Sequence, residues 1–271
     1  MKFSILFPSR ERVQLAKQML DGLVKNTADL SEIEVLVATD VDDPTDYSLL
    51  RSYPFVKAWG VNRSMNFSKD YYNFLAAKST GEWIICANDD CVFETTGWDK
   101  IAFDVLNPLP RVIYGWSEDG LGGAKARGNG NYCCFPLQGR KGYEALGFIF
   151  PPRIPVWGAD IWAKNLYEQV KSIVDLRIKI MHYCHHNGTR AQDGVSRRIA
   201  QNQVQYSVRP TQEEVGALAN ALNGCLQAPI QNINIPGVDY SQQKQGVMPR
   251  RPVMPPPRGT PWVKKKVWCC A

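Results

Sequence analysis

Two adjacent carboxylates, Asp89 and Asp90, follow Asn88 directly after the apolar run Trp83-Ile84-Ile85-Cys86-Ala87. A run rich in β-branched residues suits a strand covered on both faces, as at the centre of a parallel sheet. Two like charges at its end repel each other, which is costly unless a cation lies close by. Ligands of open α/β sheets bind beyond the carboxyl ends of the strands. The spacing therefore predicts a divalent metal facing a phosphorylated ligand. Other residues with chemical potential stand at comparable places. Pro8-Ser9-Arg10-Glu11-Arg12 follows the N-terminal run Phe3–Phe7, and Asp40 to Asp43 follows Ile33–Ala38. Within these groups Arg12 reads as a solvated residue of a first helical turn, and Asp42 and Asp43 suit the turn before Pro44. Asp160 opens a helical stretch, where a capping role would also explain it. His182 shares the stretch Met181 to Asn187 with His185 and His186, the latter two reading as loop residues. Cys184 lies among them, but no second cysteine cluster has matching spacing, so structural zinc is not expected.

The elements that must position these groups alternate. A strand over Phe3–Phe7 leads into a helix over Glu11–Lys25, whose stripe is Val13, Leu15-Ala16, Met19-Leu20 and Leu23-Val24. Strands over Ile33–Ala38 and Val56–Val61 follow, then a helix over Phe67–Lys78 with Ser68 as a cap and Gly81 past its end. After the strand Trp83–Ala87 come a helix from Gly97 to Leu106 and a strand over Val112–Trp116. Six glycines between Gly115 and Asn131 predict a long loop suited to a lid. A helix over Ile161–Lys171 and a last strand over Ile178–Tyr183 complete the pattern. Thr211 and Glu214 form a capping box ahead of Val215, Leu218-Ala219, Leu222 and Leu226. Such βαβ alternation predicts an α/β fold with helices on both faces of a parallel sheet.

Bulk properties set outer bounds. The 271 residues contain 44% hydrophobic and 21% charged residues, ordinary for a globular protein with a sizeable core. The apolar runs are too short to span a bilayer and the start lacks a signal-peptide pattern, so a cytoplasmic protein is expected. The eight cysteines show no CxxC spacing and read as reduced thiols. Seven of the 32 basic residues, and no acidic ones, lie from Tyr240 to Ala271, which leaves 25 basic against 26 acidic before them. The basic character therefore belongs to a proline-rich tail rather than to the body.

The segment Phe7-Pro8-Ser9-Arg10-Glu11-Arg12, the Asp40–Asp43 cluster and Asn88-Asp89-Asp90 together resemble the GT-A glycosyltransferases, specifically family 2-like members. Gly142 to Phe148, Gly158-Ala159-Asp160-Ile161-Trp162, and His182 with Gly188 and Asp193 downstream are similar to small GT-A proteins of phages and bacteria. The resemblance covers residues 1 to 200. It implies a GT-A, Rossmann-like fold with a mixed, mostly parallel sheet flanked by helices. Residues 1–100 would bind a nucleotide-sugar and 101–200 the acceptor. Residues 201–240 would form a helical extension and 241–271 the basic tail.

By that comparison Pro8, Ser9, Arg10 and Glu11 line the nucleoside pocket, with Asp40 near the base. Asn88-Asp89-Asp90 stands for the DXD motif, Asn88 in its first place. Asp90 would ligate Mn²⁺ or Mg²⁺ with His182, and Asp89 would contact the sugar or ribose. Asp160 would be the base of an inverting hexosyl- or N-acetylhexosaminyltransferase that uses a donor such as a UDP-sugar. Trp157 would stack on a sugar or base. In the tail, Lys264, Lys265 and Lys266 interleave with Trp262 and Trp268, a pattern suited to a polyanion. The resemblance to small phage members, some thought to glycosylate such bases, implies a 5-hydroxymethylpyrimidine in DNA of the phage type as leading acceptor, which would place the enzyme in a host cytoplasm. A surface glycan or lipid-linked sugar is the alternative acceptor, and a catalytically inactive nucleotide- or nucleic-acid-binding domain the alternative class. A nucleotidyltransferase would begin with a glycine-rich phosphate loop, which Pro8 to Arg12 lacks.

Overall fold

The computed structural model describes residues 2–120, 133–155, 157–184, 188–201 and 207–227. The strands are β1 Phe3–Ser9, β2 Ile33–Asp40, β3 Val56–Val61, β4 Trp83–Cys86, β5 Cys91–Phe93, β6 Tyr114–Glu118, β7 Leu137–Gly139 and β8 Ile173–His182. They form one sheet in the order β3-β2-β1-β4-β7-β6-β8-β5. β3, β2, β1 and β4 are mutually parallel, and β8 runs parallel to β6. Only β7 and β5 oppose their neighbours. The sheet is thus mixed and mostly parallel.

Period-two burial explains its central strands. Phe3, Ile5 and Phe7 of β1 face one core with Val35, Val37, Trp83 and Ile85. Leu6 faces the other with Leu36, Ala38, Ile84 and Cys86. Both faces need helices because both are apolar. The first is covered by α1 (Val13–Asn26), through Ala16, Met19, Leu20 and Leu23, and by α3 (Trp98–Leu106). The second is covered by α2, a π-helical turn Ser68–Asn73 running into Phe74–Ala76, and by α5 (Ala159–Gln169). Beyond these lie α4 (Arg140–Leu146), α6 (Gly194–Gln201) and α7 (Gln212–Gln227). Truncating a fully buried aromatic here, such as Trp98 or Trp162, costs about 3–5 kcal/mol.

Several expected details change. Ser68 does not cap α2: Phe67 before it is already helical, and the Ser68 hydroxyl donates to the Ile154 carbonyl. The last strand starts at Ile173, five residues before Ile178. The capping box holds: Thr211 N–H donates to Glu214 (2.7 Å) and Glu214 N–H to Thr211 Oγ1 (3.1 Å). The glycine-rich stretch begins inside β6, and its remainder, 121–132, lies outside the described residues, as do the tail and Lys264, Lys265 and Lys266. Among the described residues, no helix is long and apolar enough to cross a membrane.

Candidate active site

Parallel pairing brings the ends of β1, β2 and β4 to one edge. Ser9 pairs with Thr39, and Leu6 with Cys86, so the residues after Cys86 emerge beside Ser9 and Asp40. The chain then turns at Asn88–Asp90 and enters β5, which pairs with β8 so that Cys91 stands opposite His182. That register delivers His182 to Asp90, with Nε2 3.2 Å from Oδ1. Tyr183 N–H locks the turn by donating to the Asp90 carbonyl at 2.8 Å. The Tyr72 hydroxyl lies 2.8 Å from both the Ala87 carbonyl and Asn88 Oδ1, which ties α2 to the same turn.

The acidic pair is buried, with Asp89 3% and Asp90 4% exposed. Asp89 accepts from Ser9 Oγ (2.9 Å) and from Arg12 Nη1 (3.2 Å). Asp90 accepts from Arg190 Nη2 (2.8 Å). Burial pushes the Asp89 carboxyl up to about 6; Arg12 offsets part of the rise, while Asp90 adds to it. Burial opposes charge on Asp90 as well. There His182, Arg12 and Arg190 prevail and hold the carboxyl below the usual range. Burial likewise works against a charged His182, but Asp90 and Cys184 lift it to about 10.

Arg12 corrects the sequence reading. It is not a solvated helical residue: its side chain is 11% exposed. Nε and Nη2 clamp Asp193 at 2.8 and 2.7 Å, and Nη2 also reaches Ser196 Oγ at 2.8 Å. Asp193 also takes Arg190 Nη1 at 2.7 Å. Burial would raise the Asp193 carboxyl, but the two guanidiniums and the Ser196 amide hold it far below its ordinary value. Arg12 and Asp193 are 181 positions apart, so local pattern could not reveal the pair.

On the other side of Ser9, Arg10 Nη1 donates to Asp40 at 2.9 Å and to Asp42 at 2.5 Å. Asp40 also accepts from the Tyr71 hydroxyl. Glu11 adopts a left-handed φ of 56°, with its N–H on Asp43 Oδ2 at 2.8 Å. Such a φ in a residue with a Cβ is strained and recurs at functional sites. Asp43 does serve its turn as expected, accepting the Thr45 N–H at 2.9 Å.

Asp160 sits in the first turn of α5, but it is not the cap. Gly158 holds the N-cap position with φ 92°, and a Cβ there would come within 2.6 Å of Val208 Cγ1. Glycine meets both demands. Asp160 accepts the Ile161 N–H at 2.8 Å. Its side chain is half-buried on the cavity wall, and desolvation pushes its carboxyl up to about 7 against the helix N–H groups, with Asp119 adding repulsion. The sequence reading missed Asp119, which is buried; its carboxylate takes the Cys134 N–H at 3.3 Å and its carbonyl the His182 N–H at 2.9 Å.

One solvent-open cleft joins these parts. Pro8, Ser9, Arg10, Asp40, Asn88, Asp89, Trp157 and Asp160 line it, with Arg12, Tyr71, Tyr72 and Phe150. Asp90, His182 and Glu11 stand beside this lining rather than in it. The half-buried Trp157 has no hydrogen-bond partner for Nε1 among the described residues. As a metal site, Asp90 Oδ1 and His182 Nε2 lie 3.2 Å apart, a carboxylate oxygen and an imidazole nitrogen. The pair suits Mn²⁺ better than Mg²⁺, with a diphosphate supplying further oxygens, once the ion displaces the proton that Asp90 holds on His182. No group of three acidic, histidine or cysteine side chains placed to hold a metal occurs among the described residues. Arg12 and Arg190 provide the positive charge next to the pair.

The eight-stranded sheet, with its site at the carboxyl edge, has the GT-A-type fold. The solved structures that match it include three informative ones. The mannosyltransferase PcManGT from Pyrobaculum calidifontis, in complex with GDP-Man and Mn²⁺, superposes with a TM-score of 0.55 at 13% identity, over 84% of this chain and 76% of that one. S. aureus TarS 1–349 in complex with UDP-GlcNAc gives 0.51 at 15% identity, over 82% and 72%. TarS 1–349 in complex with UDP gives 0.51 at 14% identity, and this chain covers 67% of its own length but only 60% of that TarS chain. At these identities the likeness is one of fold. No protein-family model and no curated protein matches the chain.

Proposed function

We propose that the protein is a glycosyltransferase that moves a sugar from a nucleotide-sugar, such as a UDP-sugar, to a hydroxyl acceptor. The observation that carries this reading is the placement of Asp160, its carboxyl raised to about 7, on the same cavity as Ser9, Arg10, Asp40, Asn88 and Asp89. The fold neighbours bound to UDP, UDP-GlcNAc and GDP-Man support it. In this reading Pro8, Ser9, Arg10, Glu11 and Asp40 hold the nucleoside, Asn88 and Asp89 the ribose and sugar, and Trp157 packs on the incoming acceptor. Asp90 and His182 would hold Mn²⁺ or Mg²⁺, which supplies positive charge for the departing diphosphate.

Asp160 takes the proton from the acceptor hydroxyl as that oxygen bonds to the anomeric carbon and the bond to the diphosphate oxygen breaks. A group with a pKa near working pH suits this role, being basic enough to accept a proton and deprotonated often enough to act. One base and direct attack give inversion at the anomeric carbon. The sugar would be a hexose or N-acetylhexosamine.

For the acceptor, a 5-hydroxymethylpyrimidine in DNA is the reading favoured by the basic, Trp-bearing segment with Lys264, Lys265 and Lys266. A base within a duplex would have to be flipped out. The test is mass spectrometry of nucleosides after DNA containing 5-hydroxymethylcytosine or 5-hydroxymethyluracil is incubated with protein, Mn²⁺ and a nucleotide-sugar panel. A hexose or N-acetylhexosamine gain on one base supports donor and acceptor together. Donor hydrolysis without gain moves the acceptor to a surface glycan or lipid-linked sugar. No turnover of any donor would make the domain a binding protein.

A further inference from the structure

Helix α6 is a lightly buried part of the cavity wall. None of its eight residues is fully buried, although Val195, Arg198 and Ile199 line the cavity. An element with so little apolar burial opens at low free-energy cost. Charge holds it instead. Arg12 clamps Asp193, directly before α6, through two donors at 2.8 and 2.7 Å. Its neighbour Glu11 accepts from Arg198 Nη2, near the other end of α6, at 2.8 Å. Two adjacent residues of opposite sign thus bolt the two ends of one helix to the β1–α1 loop. The strained φ of Glu11 and the grip of its N–H on Asp43 fix that loop. Arg12 also faces Asp89 at 3.2 Å, so one side chain belongs both to the bolt and to the acidic pair.

We propose that α6 is an ion-pair clasp that gates departure of the nucleotide from the cavity, with Arg12–Asp193 and Glu11–Arg198 as its two bolts. The identity of what is gated rests on the nucleotide-sugar reading; the clasp itself does not. Release follows when the bolts open, and because ion pairs weaken with salt, the gate loosens as ionic strength rises.

The test is amide hydrogen exchange of residues 194–201 in the full-length, ligand-free protein. Asp193 also caps α6, accepting the Ser196 N–H at 2.8 Å. Asp193→Asn keeps a capping side chain but removes the charge. Exchange in that variant should rise about tenfold or more, since charge-assisted bidentate pairs are the strong ones. Glu11→Arg and Arg198→Glu should each raise it by up to about fivefold, as befits a more exposed pair. The double reversal should return it towards wild type. Unchanged exchange in Asp193→Asn, or a double reversal no better than the single ones, overturns the clasp. Exchange of β1 and β4 in the same samples separates loosening of α6 from general unfolding.

Release of UDP, with Mn²⁺ present, is then followed by stopped flow. It should accelerate in Asp193→Asn, which leaves the proposed nucleoside contacts in place, and an unchanged release rate in that variant overturns the gate. If the wild type binds no UDP, the nucleotide reading falls, and the exchange data decide the clasp by themselves.

Discussion

The two edges of the parallel sheet each bury carboxylates, and they treat them in opposite ways. At the amino edge Glu34 is 1% exposed and accepts from Ser4 Oγ (2.7 Å), Thr80 N (2.6 Å), Thr80 Oγ1 (2.9 Å) and Lys57 Nζ (2.9 Å). Burial alone would raise its carboxyl, but these donors prevail and bring it down to about 2. At the carboxyl edge burial prevails for Asp89 and Asp160, which rise to about 6 and about 7. The difference lies in the donors. Glu34 has four, and they stitch β1, β2, β3 and the entry to β4 together. Asp89 is crowded by Asp90, and Asp160 by Asp119. An edge that leaves carboxylates under-compensated has electrostatic capacity left for a ligand, and perturbed groups cluster at functional sites for that reason.

Four variants would break or sharpen this contrast. The largest effect is expected from Asp160→Asn, which should lower kcat by about 10²–10⁴-fold while urea-unfolding stability at pH 8 holds or rises. In the wild type, kcat/KM should climb about tenfold per pH unit below 7 and level off above, and donor-turnover assays across pH would check both. Next is Glu34→Gln. It loses the charge that Lys57 and the other donors converge on and should cost about 2–4 kcal/mol by urea unfolding. Gly81→Ala should cost about 1–3 kcal/mol, because a Cβ there would sit 2.7 Å from Ser4 N and Oγ; thermal unfolding would show it. The smallest effect is expected from Asp89→Asn: stability at pH 8 should change by about 1 kcal/mol or less, since the relief of buried charge offsets the weakened contact with Arg12.

The same shifts give the pH dependence of stability a definite sign. Asp89 and Asp160 have folded-state pKa values above their unfolded ones, so stability increases as pH falls from about 8 to about 5 and they bind protons in the folded state. Glu34 is depressed, so its contribution is complete above its unfolded value and is lost as pH falls towards 2. Denaturation across pH should therefore show a maximum near pH 5. Asp160→Asn should flatten the alkaline limb and Glu34→Gln the acid limb.

How much of this was legible in the sequence depends on the distance over which each feature is determined. β1, β2 and β4 were legible because each is a short apolar run with both faces buried, whereas β3 is a half-exposed edge strand. The capping box of α7 is a four-residue pattern and held. β5 and β7, with three residues each, carry too little periodicity, and α6 buries no full side chain. The carboxyl-edge location of Ser9, Asp40 and Asp89 followed from strand ends, and the register of β5 with β8 then brought His182 to Asp90. The second partners did not follow. Arg12 and Arg190 meet Asp89, Asp90 and Asp193 only in three dimensions, so Arg12 looked like a solvated residue. Asp160 read as a catalytic base with a cap as the competing explanation, and the left-handed Gly158 takes the N-cap position instead.

The most direct test of the central claim, that the carboxyl edge awaits a cation and a diphosphate, is a thermal shift with UDP and Mn²⁺ in wild type and Asp90→Asn. The two ligands together should raise the melting temperature of the wild type by several degrees at concentrations about 100-fold above Kd. Either alone should do less, and Asp90→Asn should lose most of the joint shift. An equal joint shift in Asp90→Asn, or none in the wild type, would contradict the account.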